Sequence, residues 1–367
     1  MRLLLRAGVV LGLAAAACGK DAPSPVDFND PAAVSANLSS VDSAFDSDVF
    51  RSFSTASIML DIATAPAFRP AATLTEMLQP KLARTGARMF LPSLRQAQKL
   101  QAMVPNLSIS AAQGRIIPDT MYGRVFEWDT AANQYAWDSV TVVGLSGVRF
   151  ILYATDLAGQ VVEPVSAIGT LDIIDQSTPT KLQLQILVKG GATTYVDYTA
   201  SFTSGVNSAS ATVSGTITNG LSGGDNKTLS FDESLSVNAG GANVQATFAL
   251  NNPAITLMLN ESVAYNDPNT IINADFRLIQ NGETIRVVGH ITINNLSAVT
   301  VSVTVYVDGH PVATFNGDPA TADWVDAGGE PLSAADLVAL ADLFDAFENF
   351  GDTVYNLFAP VAIFAGL

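Results

Sequence analysis

Few residues in this chain are equipped for chemistry. His290 and His310 are its only histidines and Cys18 its only cysteine, so a zinc ion would have to be held largely by carboxylates, against its preference for sulfur and imidazole. The run Gly220-Leu221-Ser222-Gly223-Gly224 has the spacing of a nucleophile elbow, which exposes a serine on a sharp turn between a strand and a helix. Here Asp225-Asn226-Lys227 leads into another strand pattern, so a hairpin loop is expected instead. The stretch from Gly223 to Thr228 lacks the glycine before Lys227 that a phosphate loop requires. Acidic turns at Asn316-Gly317-Asp318 and Asp323 to Asp326 carry the oxygen ligands that Ca²⁺ uses, and read as solvated loops. Glu233 and Glu261 recur within two similar runs, Phe231-Asp232-Glu233-Ser234-Leu235 and Leu259-Asn260-Glu261-Ser262-Val263. Both share parity with the apolar residues around them; such an inward carboxylate either opposes wrong strand pairing or faces a wet interior. Glycoside hydrolysis needs two carboxylates at a spatial rather than a sequential separation, and no pair is singled out. The expectation is a non-enzymatic protein with no catalytic residue, metal or cofactor.

Cys18 is the residue whose position carries a specific chemistry. Met1-Arg2-Leu3-Leu4-Leu5-Arg6 is basic, the stretch to Leu13 is apolar but too short to span a bilayer, and Ala14 to Ala17 are small, the pattern of a secretory signal. The arrangement Leu13-Ala14-Ala15-Ala16-Ala17-Cys18-Gly19 resembles the lipobox of bacterial lipoproteins, with Ala15 where leucine is commonest. The resemblance implies acylation of Cys18 and cleavage before it, and Gly19 rather than Asp at the next position implies an outer-membrane destination. Each acyl chain contributes about 0.8 kcal/mol per buried CH₂, so two or three chains anchor the protein without a transmembrane helix. With no second thiol the fold can draw on no internal disulfide.

The chain has 367 residues, 48% apolar and 14% charged, with a formal net charge of −16 that becomes about −18 once Arg2 and Arg6 leave with the signal. Such a surface argues against nucleic acid, whose phosphates need a basic footprint, and is repelled by anionic lipid headgroups. The composition excludes disorder and leaves ample chain for a core.

Three stretches follow a short tether. Asp30-Pro31 opens a helical pattern in which Val34, Leu38, Val41, Phe45, Val49 and Phe53 recur at helical spacing. Further helical pieces are expected around Leu74 to Leu82 and Ser93 to Met103. From about Gly114 the period becomes two: Val301, Val303, Val305 and Val307 alternate with Thr300, Ser302, Thr304 and Tyr306, a strand with one polar face. Asn281-Gly282, Asp308-Gly309 and Gly190-Gly191 separate alternating runs as type I′ hairpin turns do. Roughly a dozen to fourteen antiparallel strands are expected between Gly123 and Phe315, longer than the usual ~5–6 residues. Phe126-Glu127-Trp128-Asp129 to Tyr135 is one hairpin, with Trp128 and Trp137 expected to pair across it; with Ile117-Pro118-Asp119 and Gly147 to Tyr153 it is similar to stretches of uncharacterised bacterial lipoproteins. Ser333 and Asp336 resemble a capping box that opens a run with Leu337, Leu340, Leu343, Phe344 and Phe347 on one side. A second apolar run follows Gly351.

These patterns divide the chain into a lipoprotein signal peptide (1–17), a lipidated tether (18–28), a mostly helical segment (29–113), an antiparallel β-meander (114–318) and apolar C-terminal helices (319–367). The expected fold is α+β: a large curved, open barrel-like meander with N- and C-terminal helices packed on it, because so many strands cannot stay flat. At the level of architecture this resembles the periplasmic lipoprotein carriers of the LolA/LolB type, which hold acyl chains between a half-open barrel and helical lids. That resemblance implies a lipid or other hydrophobic ligand between sheet and helices, with Phe344, Phe347, Phe350, Tyr355 and Phe358 as its binding residues. The alternative is an interaction protein of the envelope with a packed core and no ligand, and a third reading is an extracellular hydrolase. The expected partners are a membrane, through the Cys18 anchor, and that hydrophobic molecule; no nucleic acid and no particular protein partner is implied.

Overall fold

Strict alternation over long runs, broken by turn residues every ten to twelve positions, dictates a meander, because each strand then has one face to bury and the nearest available neighbour is the next strand. The computed structural model of the chain describes residues 47–49, 52, 87, 115–156, 160–266, 268–294 and 298–345. Fifteen strands form one sheet: β1 (Arg124–Asp129), β2 (Gln134–Thr141), β3 (Gly147–Tyr153), β4 (Ala167–Asp175), β5 (Leu182–Gly190), β6 (Thr193–Gly205), β7 (Ser208–Thr218), β8 (Thr228–Asn238), β9 (Gly241–Leu250), β10 (Ile255–Asn266), β11 (Asn269–Gln280), β12 (Glu283–Asn294), β13 (Ala298–Val307), β14 (His310–Gly317) and β15 (Trp324–Asp326). Their spatial order follows the sequence from β15 down to β3 and ends with β1 and then β2, so the sheet is open, with β15 and β2 at its edges. A helix over 334–345 follows. The described residues are therefore mainly β with some helix.

Turn chemistry sets the register. Asn281 and Gly282 have φ of 51° and 84°, Asp308 and Gly309 of 49° and 81°, the two consecutive left-handed residues that a type I′ turn demands. With Gln280 thus placed opposite Glu283, the β11–β12 ladder runs without a slip to Asn269 opposite Asn294. All pairings are antiparallel except β1 with β3. That exception is topological: β2 folds back along the outside of β1, and the chain must return past β1 before β3 can join the sheet.

One face of the sheet holds the core. A single row crosses eleven strands through Ile173, Ile186, Tyr198, Gly215, Phe231, Phe248, Leu257, Leu278, Ile285 and Val307, beginning at Val148. Its side chains are buried. Gly215 is required within it: a Cβ there would stand 2.3 Å from the Tyr198 Cβ and from the Asp197 carbonyl oxygen. The vacancy above Gly215 lets the Tyr198 ring approach Phe231, with centroids 5.9 Å apart, and Phe231 continues to Phe248 at 6.4 Å. An aromatic neighbour thus covers the backbone that a strand glycine leaves bare.

The ends of the sheet are managed differently. On edge strand β2, Ser139 takes a φ of 61°, and the β1–β2 ladder shifts register between Arg124 and Phe126; such irregularities blunt an edge against pairing with another chain. Trp128 packs edge-on against Tyr135 at 5.4 Å, while Trp137 lies under the Arg124 guanidinium at 3.8 Å. The expected Trp128–Trp137 pairing does not form, because the register puts Trp137 opposite Phe126. At the other edge the capping box forms as read: the Asp336 amide donates to Ser333 Oγ and the Ser333 amide to Asp336 Oδ2, both at 3.2 Å. The helix it opens buries Leu340, Leu343 and Phe344, while Leu337 one turn earlier stays 43% exposed.

Of the segment expected to be helical at 29–113, residues 48, 49 and 52 are helical, and Val49 and Ala87 belong to the core. Val49 sits in room left by Gly169 and Gly190, and Ser52 Oγ accepts a bond of 3.2 Å from the Tyr153 amide. The rest of that segment, the signal and tether, and the C-terminal run after 345 lie outside the described residues.

Candidate functional site on the outer face of the sheet

The parity that sends apolar side chains inward sends the alternate residues to the opposite, solvent-facing side. There the strands present Ser, Thr, Asn and Gln, many bonded laterally to one another. Ser201 and Thr212 hydroxyls meet at 2.7 Å, Thr203 and Ser210 at 2.6 Å, and the Ser302 hydroxyl donates to Asn316 Oδ1 at 2.6 Å. His290 belongs to this lattice, with Nδ1 2.7 Å from Asn273 Oδ1 and Nε2 3.2 Å from the Thr292 hydroxyl. His310 stands exposed at the start of β14, two strands away. Among the described residues no three His, Cys, Asp or Glu side chains gather as a metal site.

A groove of about 300 Å³ opens on this face over β8 to β11, lined by Asp232, Gln245, Thr247, Met258, Asn260 and Arg277, with Asp275 at its wall. Its residues come from two adjacent rows. Asp232, Thr247, Met258 and Arg277 are successive partners in one, and Gln245, Asn260 and Asp275 in the next. Asp275 anchors the wall. Arg286 donates to it through Nε and one Nη at 2.8 Å each, and Arg277 through Nη at 2.9 Å. The two arginines are directly opposite in register, an arrangement that repels unless a shared anion absorbs it. Partial burial alone would raise the Asp275 carboxyl, but the hydrogen bonds and charges of Arg286 and Arg277 outweigh it and hold the carboxyl down at about 2. Asp232, Gln245, Thr247 and Asn260 make no hydrogen bond with any described side chain and keep their donors and acceptors turned to solvent. Met258, 39% exposed, is the apolar side chain among them. Chemically the groove combines one carboxylate free of hydrogen bonds to described side chains, a guanidinium edge, two amides, a hydroxyl and a thioether.

The inner face is apolar apart from a few buried polar groups. Glu233 and Glu261 lie on it, 4% and 1% exposed, Glu233 opposite Ala246 and Glu261 between Val244 and Ala274. The same five-residue repeat that sends these glutamates inward puts Asp232 and Asn260 outward into the groove. Tyr198 is 1% exposed and its hydroxyl makes no hydrogen bond among the described residues; burial pushes the phenol far above its ordinary value. Two other buried carboxylates serve the scaffold. Asp175 accepts the amides of Ile116, Ile117 and Ser177 at 2.7 to 2.9 Å, and Asp172 receives both arms of Arg149 at 2.6 Å.

The residues expected to form a hydrophobic site divide as follows. Phe344 is 3% exposed and stacks on Trp324 with centroids 6.0 Å apart, so it acts as core between helix and sheet. Phe347, Phe350, Tyr355 and Phe358, like Cys18, lie outside the described residues. Ser222 sits in the β7–β8 connection, where the Asn219 carboxamide oxygen accepts the Leu221 and Lys227 amides at 3.1 Å; only a three-residue 3-10 turn, Gly223–Asp225, follows it before β8, not the helix a nucleophile elbow requires. The acidic turns spend their carboxylates on their own backbones: Asp318 accepts the Ala320 amide at 2.8 Å, and Asp326 those of Gly328 and Glu330 at 2.8 and 2.9 Å. The groove was not foreseen from sequence, although parity and the tight turns hold the signal for it. No protein-family model, no curated protein and no solved structure matches the chain.

Proposed function

We propose that this chain is a non-enzymatic cell-envelope protein, anchored by acylation of Cys18 and directed by Gly19 to the outer membrane, that serves as a packed recognition scaffold. Its meander curls as an open, barrel-like trough around its own apolar face, and the polar outer face is the surface offered to a partner. The observation carrying this reading is the state of the inner face: from Val148 to Val307 its rows are filled by the protein's own side chains, and Phe344 on Trp324 is one further layer of that packing. An apolar face already filled this way has no driving force left to take up a lipid.

One observation favours the second reading, a carrier holding an amphiphile against the inner face. The Tyr198 hydroxyl is a buried donor without a partner among the described residues, and such groups in native proteins call for an explanation. Native and denaturing mass spectrometry of the acylated protein separates the two. The scaffold reading expects the polypeptide mass plus the acyl groups on Cys18 and nothing more. A stoichiometric lipid that leaves only on unfolding overturns it in favour of the carrier.

A further inference from the structure

We infer that the groove over β8 to β11 is a binding site for a neutral saccharide, one pyranose ring of a glycan chain seated on Met258. The inference rests on the reading of the outer face as the recognition surface and names what that surface recognises.

Charge excludes the other common ligands first. Arg277 and Arg286 share the one Asp275 carboxylate, and the positive charge left over balances Asp232, so the groove carries no net charge of its own. An anionic ligand would gain nothing from a neutral groove and would be repelled by a chain already at −16. A simple cation would find a single carboxylate and no ligand cage. What fits is a neutral molecule with many hydroxyls. Asp232 accepts from them, Arg277 donates, and Gln245, Asn260 and Thr247 do both. Neighbouring strands lie about 4.8 Å apart, so these groups form a two-row grid that a rigid ring with hydroxyls around its rim can meet at several points at once. Met258 supplies the remaining requirement, a flexible, polarisable surface for the C–H face of the ring, in the middle of a row that is otherwise polar. A volume of about 300 Å³ lies at the lower bound of small-molecule clefts and admits one ring. Beyond the groove, Ser234 and Thr212 continue the Gln245–Asn260 row across β8 and β7. Further sugar units can therefore lie along hydroxyls outside the groove, which favours a polymer over a free monosaccharide.

The test uses the full acylated chain in a zwitterionic, sugar-free detergent, with methionine methyl groups labelled by ¹³C and the Met258 signal assigned from Met258→Leu. The probes are the methyl glycosides of glucose, galactose, mannose and N-acetylglucosamine and the β-1,4- and α-1,4-linked tetrasaccharides of glucose and N-acetylglucosamine. The expected result is a saturable shift of the Met258 methyl with at least one probe, half-complete at a lower concentration for the tetrasaccharide than for its monosaccharide. Asp232→Asn and Asn260→Ala, surface changes that leave the urea midpoint in place, should each weaken it roughly tenfold, the loss of one hydrogen bond to a charged or amide group. A Met258 methyl unmoved by every probe at tens of millimolar, or moved equally in Asp232→Asn, overturns the inference. A monosaccharide bound as tightly as its tetrasaccharide overturns the polymer preference. The scaffold reading is judged separately, by the mass of the native protein: a retained lipid defeats that reading without bearing on Met258.

Discussion

Tyr198→Phe tests the packing of the inner face most directly, because it deletes one atom and leaves the ring. The Tyr198 side chain is 1% exposed, its hydroxyl has no partner among the described residues, and its ring contacts Phe231 across Gly215. Burying a hydroxyl unbonded costs about 1–3 kcal/mol by mutational measures, and the small void left by its removal returns part of that. The variant should therefore be more stable by about 1 kcal/mol at neutral pH, a rise in urea midpoint of roughly 0.3 M for a slope near 3 kcal/mol/M. The pH dependence gives a second arm. Burial raises the folded-state pKa of this phenol above the ordinary 10.0, so above about pH 10 the unfolded chain releases a proton that the folded one keeps. Stability contributed by this group is full below that pH and falls as pH rises, by up to about 1.4 kcal/mol per unit. The phenylalanine variant carries no proton to release at this position, so its advantage should widen between pH 10 and 11. Urea unfolding followed in parallel by tryptophan fluorescence and far-ultraviolet circular dichroism measures both, coincidence of the two curves establishing that the transition is two-state. A loss of 1 kcal/mol or more at neutral pH would refute the reasoning, since the hydroxyl must then have a partner, and the amphiphile carrier becomes the better account.

Other perturbations probe the remaining links. Arg286→Gln removes the leading cause of the low Asp275 carboxyl, so ¹³C-carboxyl titration should find it near 2 in the native protein and higher in the variant. Because that pKa is depressed from 3.8, the associated stability is present above about pH 4 and is lost as pH falls toward 2. Phe344→Ala removes the ring stacked on Trp324 and should weaken helix docking by about 3–5 kcal/mol, seen as faster amide exchange over 334–345 with slow exchange retained in β8 to β12. Cys18→Ser should abolish incorporation of labelled palmitate and move the protein from the membrane to the soluble fraction; retention in the membrane would sink the anchor.

The meander was readable because its information is local. Val301 to Val307 shows its inner face by parity alone, and Asn281-Gly282 and Asp308-Gly309 can do little but reverse the chain with left-handed residues. The Ser333–Asp336 cap was equally local, three residues deciding where the helix begins. What sequence left undetermined depends on pairing between distant residues. Trp128 and Trp137 flank one turn, yet the ladder aligns them with Tyr135 and Phe126, and no composition rule distinguishes that register from one two residues away. The same holds for the parallel β1–β3 pair, which follows from the path of residues 142–146 and from nothing in either strand.

The groove shows where local reading stops. Each of its residues is ordinary in its own strand, a polar side chain on a polar face. Asp232 and Arg277 stand 45 positions apart in the chain, and they meet because the registers across three successive connections hold β8 to β11 in line. Two of these, at Ala239-Gly240 and residues 267–268, are two-residue connections whose register can be counted from sequence. The third, Asn251 to Ala254, is a four-residue connection, and loops of that length leave the pairing open. Once Leu250 is set opposite Ile255, Thr247 must face Met258 and Gln245 must face Asn260. Because the buried inner row, not the loop, holds this register, two residues added to the connection should be taken up by the loop and leave the response of Met258 to a bound ring in place. Loss of the response would show that the length of the loop sets the β9–β10 register, and the argument from the packed rows would fail.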